Sequence, residues 1–227
     1  MTSPHTRLSY SFALLSCLLL SQCTTIDPAK KDTIKKVVVA CNVGNEITRY
    51  KVGFTAFGND QLEPIRDSRI RSGVNRILRE EIQNKFPTIV FIQEEPPQES
   101  QNILAATDYR SWAREVARKY QADAVLLVSG WYYYPYGSPA YLKAQGMGVW
   151  HLGKVGQVQC YARTMLVDAQ GMTLGTYARY KTGQRISDLE IHENFAQYTL
   201  TDQQRIIDTC LAEFRAEVSS YLTGIGL

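Results

Sequence analysis

The chain has 227 residues and a formal net charge of +3, from 25 basic and 22 acidic side chains. A balance so near neutrality indicates neither the basic footprint of a nucleic-acid binder nor an acidic tail. Roughly 190 residues lie beyond the first 36, enough for one well-buried core.

Residues 1–22 read as a processing segment. Arg7 is their only charged side chain apart from a protonated His5, and the apolar run Leu8 to Leu20 is interrupted by Ser9, Ser11, Ser16 and Cys17. A bilayer crossing needs roughly 20 apolar residues, so this run is too short and too broken to span one. A charged start, a short apolar core and a small-residue site form the pattern of a secretory signal. The run ends in Leu20-Ser21-Gln22-Cys23, which resembles a bacterial lipobox. The resemblance implies that Cys23 becomes the mature first residue and carries acyl chains. It departs from the family pattern at Gln22, where Gly, Ala or Ser is usual. Leu14-Leu15-Ser16-Cys17 makes Cys17 the rival, with a better preceding residue and a shorter apolar run. Thr24 follows Cys23 where an Asp would retain the protein, which implies sorting to the outer membrane with the domain in the periplasm. Loss of Arg7 with this segment leaves 24 basic against 22 acidic side chains, a net charge of +2.

Residues 23–36 are expected to form the lipidated cysteine and a basic tether carrying Lys30, Lys31, Lys35 and Lys36. The lysines either stay solvated or touch anionic headgroups, at about 1 kcal/mol per charge close to the surface. Fully extended, Thr24 to Lys36 would reach on the order of 40 Å. Residues 37–227 then form a single domain.

Val37–Cys41 is a buried-strand run, Gly44-Asn45 a turn, and Tyr50, Val52, Phe54 and Ala56 alternate as a strand returning on the first in a hairpin. From Ser68 to Phe86 the apolar positions Ile70, Val74, Ile77, Leu78 and Ile82 recur at helical spacing; Asp67 or Ser68 caps the helix and Pro87 stops it. Thr88 to Ile92 is a short strand. Asp108 to Tyr120 is a second helix with Trp112, Val116 and Tyr120 on one stripe. It leads into Ala122–Val128, apolar on both faces and therefore a central strand. Gln157 to Val167 alternates, Asp168–Gly171 turns, and Met172 to Lys181 returns as a hairpin. The last helix opens on a Thr201-x-x-Gln204 capping box and carries Ile207, Cys210, Leu211, Phe214, Val218, Tyr221 and Leu222 on one stripe.

This order, together with Tyr120–Gly130 (YQADAVLLVSG) and Ala162–Gly171 (ARTMLVDAQG), resembles a small envelope domain. It is found at the amino terminus of the Tol-Pal propeller protein TolB, in the curli secretion channel lipoprotein, and in a lipoprotein activator of penicillin-binding proteins. VGFTAFGN from Val52 and GMGVW from Gly146 look like pieces of exported lipoproteins of the same layout. The resemblance implies an α/β (α+β) fold with a mixed, mostly antiparallel twisted sheet and about three helices. It also implies a non-catalytic role in binding partners or forming assemblies, and it transfers no catalytic residue.

The residues themselves supply no familiar chemistry. Gly146-x-Gly148-x-x-His151 lacks the last glycine of a dinucleotide fingerprint, and the chain has no Walker loop, HExxH or GxSxG. The chain reads as having no cofactor, metal or catalytic residue; an enzyme of unknown class would have to use His151 or His192, which are expected on the surface or in loops. Glu80-Glu81 and Glu94-Glu95 read as solvated carboxylates. Cys41, Cys160 and Cys210 either stay as buried thiols or, in an oxidising compartment, supply one disulfide.

The aromatic segment 130–155 stands out. Trp131, Tyr132, Tyr133, Tyr134, Tyr136, Tyr141 and Trp150 cluster around Pro135 and Pro139 at the end of the central strand. Tyrosine combines an apolar face with a water-tolerant hydroxyl, and sheet ends are where α/β folds bind ligands. The segment therefore reads as a surface for an unidentified envelope protein. The alternatives are that its rings cap the core, or that Leu142 to Leu152, with one apolar row, inserts as a strand of an oligomeric outer-membrane secretion channel. The partners expected are thus the membrane through acyl chains, an envelope protein and, for a channel, further copies of the chain; nucleic acid is not among them.

Overall fold

A computed structural model describes residues 24–53, 58–98, 107–133, 144–177 and 183–227, with the backbone alone for Tyr132, Tyr133, Ala144 and Gln145. The described elements run α1 (Pro28–Thr33), β1 (Lys36–Cys41), β2 (Ile47–Lys51), β3 (Asp60–Ile65), α2 (Ser68–Ile82), β4 (Thr88–Phe91), α3 (Tyr109–Tyr120), β5 (Ala124–Gly130) and β6 (Tyr132–Tyr133). They continue with β7 (Ala144–Leu152), β8 (Val155–Asp168), β9 (Gln184–Ile186), a 3₁₀ turn (Phe195–Gln197) and α4 (Leu200–Gly224).

The strands join in the order β3-β2-β7-β8-β5-β1-β4, with β6 on β7 and β9 on β8. The β1/β4, β1/β5 and β2/β7 pairs are parallel and the remaining pairs antiparallel. This is a mixed α/β single domain around a curled, mostly antiparallel sheet. The curl follows from β8. Its last seven residues, from Ala162 to Asp168, pair with β5, whereas its first seven pair with β7 and Gly156 to Val158 also hold β9 on the other edge. One strand thus belongs to two half-sheets, β8-β5-β1-β4 and β8-β7-β2-β3.

Alternation along the strands sends side chains to two opposite cores. One is built by Val37, Val39, Ile47, Met147, Val149, Val158 and Cys160 under α2 and α4, whose apolar stripes supply Ile70, Val74, Ile77, Ile207, Phe214 and Val218. Each such fully buried side chain contributes about 1.5–3 kcal/mol. The helices meet at Gly73, where an added Cβ would lie 2.4 Å from a Leu211 methyl. The Leu166 amide of β8 donates to the Tyr221 hydroxyl of α4 at 2.7 Å, and the apolar surroundings push that phenol up to about 12. On the opposite face α3 lays Tyr109, Ala113, Val116 and Ala117 on Val38, Val125, Leu127 and Val167.

Several local expectations change. The central strand is as expected: all seven residues of β5 are buried, between β1 and β8. The expected hairpin between Val37–Cys41 and Tyr50–Ala56 does not form. Both edges of β1 are taken by β4 and β5, so β2 pairs instead with β3 and β7; residues 54–57 lie outside the described part. On α3 the buried stripe is Tyr109-Ala113-Val116-Ala117, with Trp112 and Tyr120 only partly covered. Helix α4 starts two residues before the expected box: Thr199 is its cap, accepting from the Asp202 amide at 3.1 Å. Beyond the Asp168–Gly171 turn the described part of the return, residues 172–177, makes one bridge to β8, Val167 with Thr173, and a second to Thr24 through Thr176; residues 178–181 lie outside the described part.

Residues 24–36 are not an extended leash. Asp27 and Pro28 start helix α1, as a cap and first-turn proline favour. Ile26 and Ile34, the apolar members of this polar stretch, are buried. The Ile26 amide donates to the Ile225 carbonyl at 2.9 Å, and Thr24 exchanges backbone bonds of 2.8 and 2.9 Å with Thr176. Gly175 makes this contact possible. It has φ +76°, and a Cβ there would lie 2.8 Å from the Thr24 carbonyl and 2.9 Å from Ile225. Gly175→Ala should therefore lower unfolding stability by about 2 kcal/mol, the sum of left-handed strain and a displaced backbone. Urea denaturation at neutral pH measures this, and a change within a few tenths of a kcal/mol would contradict the packing.

Candidate functional site

The two half-sheets part company at Gly130. There the five residues Asn42 to Glu46 cross from β1 to β2, and the chain leaves β5 for the aromatic segment. Asn42 ties the crossing together. Its side-chain oxygen accepts from the Gly130 amide at 2.8 Å, while its amide nitrogen donates to the Pro96 carbonyl at 3.0 Å and to Ser129 Oγ at 3.1 Å. Ser129 Oγ donates to the Pro97 carbonyl at 3.2 Å. The Tyr109 hydroxyl of α3 lies 3.4 Å from the same oxygen, so Ser129 joins β5 to both the crossing and the helix above it. The crossing is held from outside by Arg71, which donates to the Val43 carbonyl at 3.1 Å and lies 3.6 Å from Glu95. A cleft of about 120 Å³ opens here, lined by Asn42, Asn45, Glu46, Gln98, Gly130 and Gly146. Its polar groups are mostly neutral, suited to hydrogen bonding with a peptide or amide.

Next to the cleft stands an aromatic plate. Ile47↔Met147 register in the parallel β2/β7 pair makes Tyr50 and Trp150 direct neighbours, and their rings stack at 4.5 Å and 15°. Tyr161 of β8 completes the plate, all three rings being buried. Trp131, half-buried, meets Tyr161 edge to face at 6.1 Å and is fastened by its amide donating to the Tyr161 carbonyl at 2.9 Å. Aromatic contacts of this kind add about 0.5–1.5 kcal/mol each beyond area burial.

The sequence-derived candidates divide accordingly. Trp131 stands at the root of the segment with part of its ring accessible. Trp150 was expected at a partner surface and is instead 7 % exposed, stacked on Tyr50 as part of the plate. Tyr132 and Tyr133 form β6, paired to Gln145 and Ala144. Tyr134, Tyr136, Tyr141, Cys17 and Cys23 lie outside the described residues. The stretch considered as a membrane strand is, from Gly146 to Leu152, an inner strand of the domain's own sheet, paired to β8 throughout and to β2 from Met147 to His151. Cys41, Cys160 and Cys210 are buried free thiols, and burial pushes Cys41 up to about 12. Among the described residues no His, Cys, Asp or Glu group is placed to hold a metal ion, and no helix is long and apolar enough to cross a membrane.

A second feature lies at the far end of β2 and β7. Arg49 is fully buried; its guanidinium donates to the Tyr198 hydroxyl at 2.8 Å, to the Glu63 and Glu193 carbonyls at 3.3 and 3.2 Å, and to the His192 carbonyl. Tyr198 also receives the edge of His192 at 4.8 Å and stacks on His151 at 6.4 Å. His151 is fully buried, not a surface residue, and both ring nitrogens lack a hydrogen-bond partner among the described residues. The cluster pins the 187–198 loop over the end of the sheet. Neither Arg49 nor the Asn42–Ser129 link was legible as a site. The one available signal was an arginine between Ile47 and Tyr50 in a strand-forming run, which demands a buried partner set.

Comparison with known proteins returns no matching family model, no matching characterised protein and no matching solved structure. A functional reading therefore rests on the residues and their geometry.

The cluster has a pH signature. Burial, followed by the nearby Arg49 charge, pushes His151 down to about 4. The unfolded chain takes up the proton near pH 6.5 and the folded one only near pH 4. Stability should hold above pH 6.5, fall by roughly 3 kcal/mol between there and pH 4, and lose nothing more from this group below that. His151→Leu should flatten the decline; denaturant titrations at pH 7, 5.5 and 4 measure it, and an unchanged slope in the variant would assign the loss elsewhere.

Proposed function

We propose that the protein is an exported outer-membrane lipoprotein, anchored by acyl chains on Cys23, whose TolB-like domain faces the periplasm and acts without catalysis as a binding or assembly module. The observation that carries this reading is the seating of the aromatic segment. It starts at Gly130 and Trp131 on a buried plate of Tyr50, Trp150 and Tyr161, beside a cleft whose polar groups, apart from Glu46, are neutral. A rigid aromatic base with an accessible ring and polar neighbours suits a protein interface, where tryptophan and tyrosine anchors carry most of the binding energy. The polar groups of the cleft favour main-chain recognition.

The test is cross-linking in intact cells with Trp131→Ala and with Tyr133, Tyr134 and Tyr136 changed to Ser together. The captured envelope partner should fall at least about tenfold, the effect of losing ~1.4 kcal/mol or more of anchor energy, with the melting temperature moved by only about 2 °C. Parallel loss of stability and capture would mean the rings only pack. A detergent-stable ring that conducts ions would replace this reading by the channel subunit.

A further inference from the structure

One end of the molecule gathers the segment from Thr24 to Lys35, the turn after β8 and the end of α4. Thr24 is bridged to Thr176 through backbone and through hydroxyls 3.1 Å apart. Ile26 is bonded to Ile225, and Lys31 Nζ donates to the Gly226 carbonyl at 2.7 Å. The Tyr177 ring lies on Gly224 so closely that a Cβ there would meet it at 2.1 Å. Around these ties Met172 and Tyr177 are 57 % and 36 % exposed. Lys30, Lys31 and Lys35 are exposed with them, against the exposed Asp27 and Asp32.

Resting on the reading that Cys23 carries acyl chains, we infer that this end is a membrane-contacting base, with Met172 and Tyr177 seated in the headgroup region of the bilayer. The argument is one of reach. Residue 23 is one peptide unit, ~3.8 Å, from Thr24, and Thr24 is already fixed to the body. An anchor sulfur at residue 23 therefore has only about one residue of reach from the fixed Thr24, in place of the ~40 Å that an extended leash would give. Acyl chains on that sulfur bring the adjoining surface to the interface. That surface offers an exposed thioether and a phenol, the amphipathic side chains that interfaces accept. Arg110 and Arg114, exposed on α3 against Gly171, add to the lysines, so anionic headgroups would strengthen a contact that the anchor brings about. The opposite end is turned away: Leu200 sits at the other terminus of α4, about 36 Å from Gly224, and is 82 % exposed.

The experiment uses the full-length protein in cells fed a fatty-acid analogue, with a photoreactive amino acid placed at position 172, 177, 152 or 200. Positions 172 and 177 should yield phospholipid adducts at least about fivefold more often than 152 and 200. A twelve-residue Gly/Ser insertion between Cys23 and Thr24 should abolish the difference while acylation persists. Acylated protein that cross-links lipid equally from all four positions, or cross-links a protein from 172 and 177, overturns the inference and leaves the lipoprotein reading intact. Absence of the label, or a label that survives Cys23→Ser, overturns the anchor at Cys23 and the inference with it.

Discussion

Strand β8 cannot satisfy its backbone within either half-sheet alone. Its first seven residues need β7, its last seven need β5, and no described strand runs beside its whole length on one side. Unpaired backbone groups inside a domain are costly, so the two half-sheets form together or leave a buried ladder open. Helix α4 reinforces the requirement by packing along β8 and handing its Tyr221 hydroxyl to the Leu166 amide. Everything else in the architecture hangs on this shared strand. The crossing Asn42–Glu46 has to bridge the point where β5 stops and β7 starts, and the aromatic segment leaves there, just past the Trp131 amide that still donates to the Tyr161 carbonyl of β8.

The same constraint separates two kinds of polar burial. At the junction, Asn42 and Ser129 are neutral and mutually bonded, which costs little once the partners are in place. At the end of β2 and β7, Arg49 is a buried cation held by main-chain carbonyls and Tyr198 in place of a carboxylate. A charge so placed adds little net stability and fixes one arrangement of the loop that surrounds it. The fully buried His151 beside it stays neutral at neutral pH, first because burial strips the charged ring of water and second because Arg49 would repel it.

The helices and the central strand were legible because each carries one dominant signal. Helix α2 has a capping Asp67 and a clean stripe from Ile70 to Ile82, and β5 is apolar on both faces. What failed was pairing. Nothing local tells Tyr50 that its neighbour is Trp150, a hundred residues on, and not Val39; that choice is made by β4 and β5 occupying both edges of β1. The packed state of residues 24–36 was missed for a related reason. Four lysines dominate the composition, while the contact depends on Ile26 and Ile34 and on Gly175, which clears space for the Thr24 carbonyl from a distant part of the chain, just beyond β8. Half of the candidate site, Trp131 and its tyrosine-rich continuation, could be named from composition; its foundation, Tyr50 and Tyr161, could be named only from register.

Register also sets the distance between the two surfaces proposed to work. Asp168 of β8 lies at the end that holds Lys30, whose ammonium approaches it at 3.4 Å, and Ala162 pairs with Gly130 at the root of the aromatic segment. Six residues of strand separate them, ~20 Å at 3.3 Å per residue. A body fixed to its anchor by Thr24 would therefore hold Trp131 at a height of that order above the bilayer, whereas a free leash would let the height vary by twice as much. A fixed height restricts the volume that the aromatic segment explores and raises its effective concentration toward any partner held at the same level, which is what short linkage achieves in two-site binding. In that reading, the glycine at 175 and the buried isoleucines on either side of α1 serve recognition as directly as the rings do, by deciding where the rings are presented.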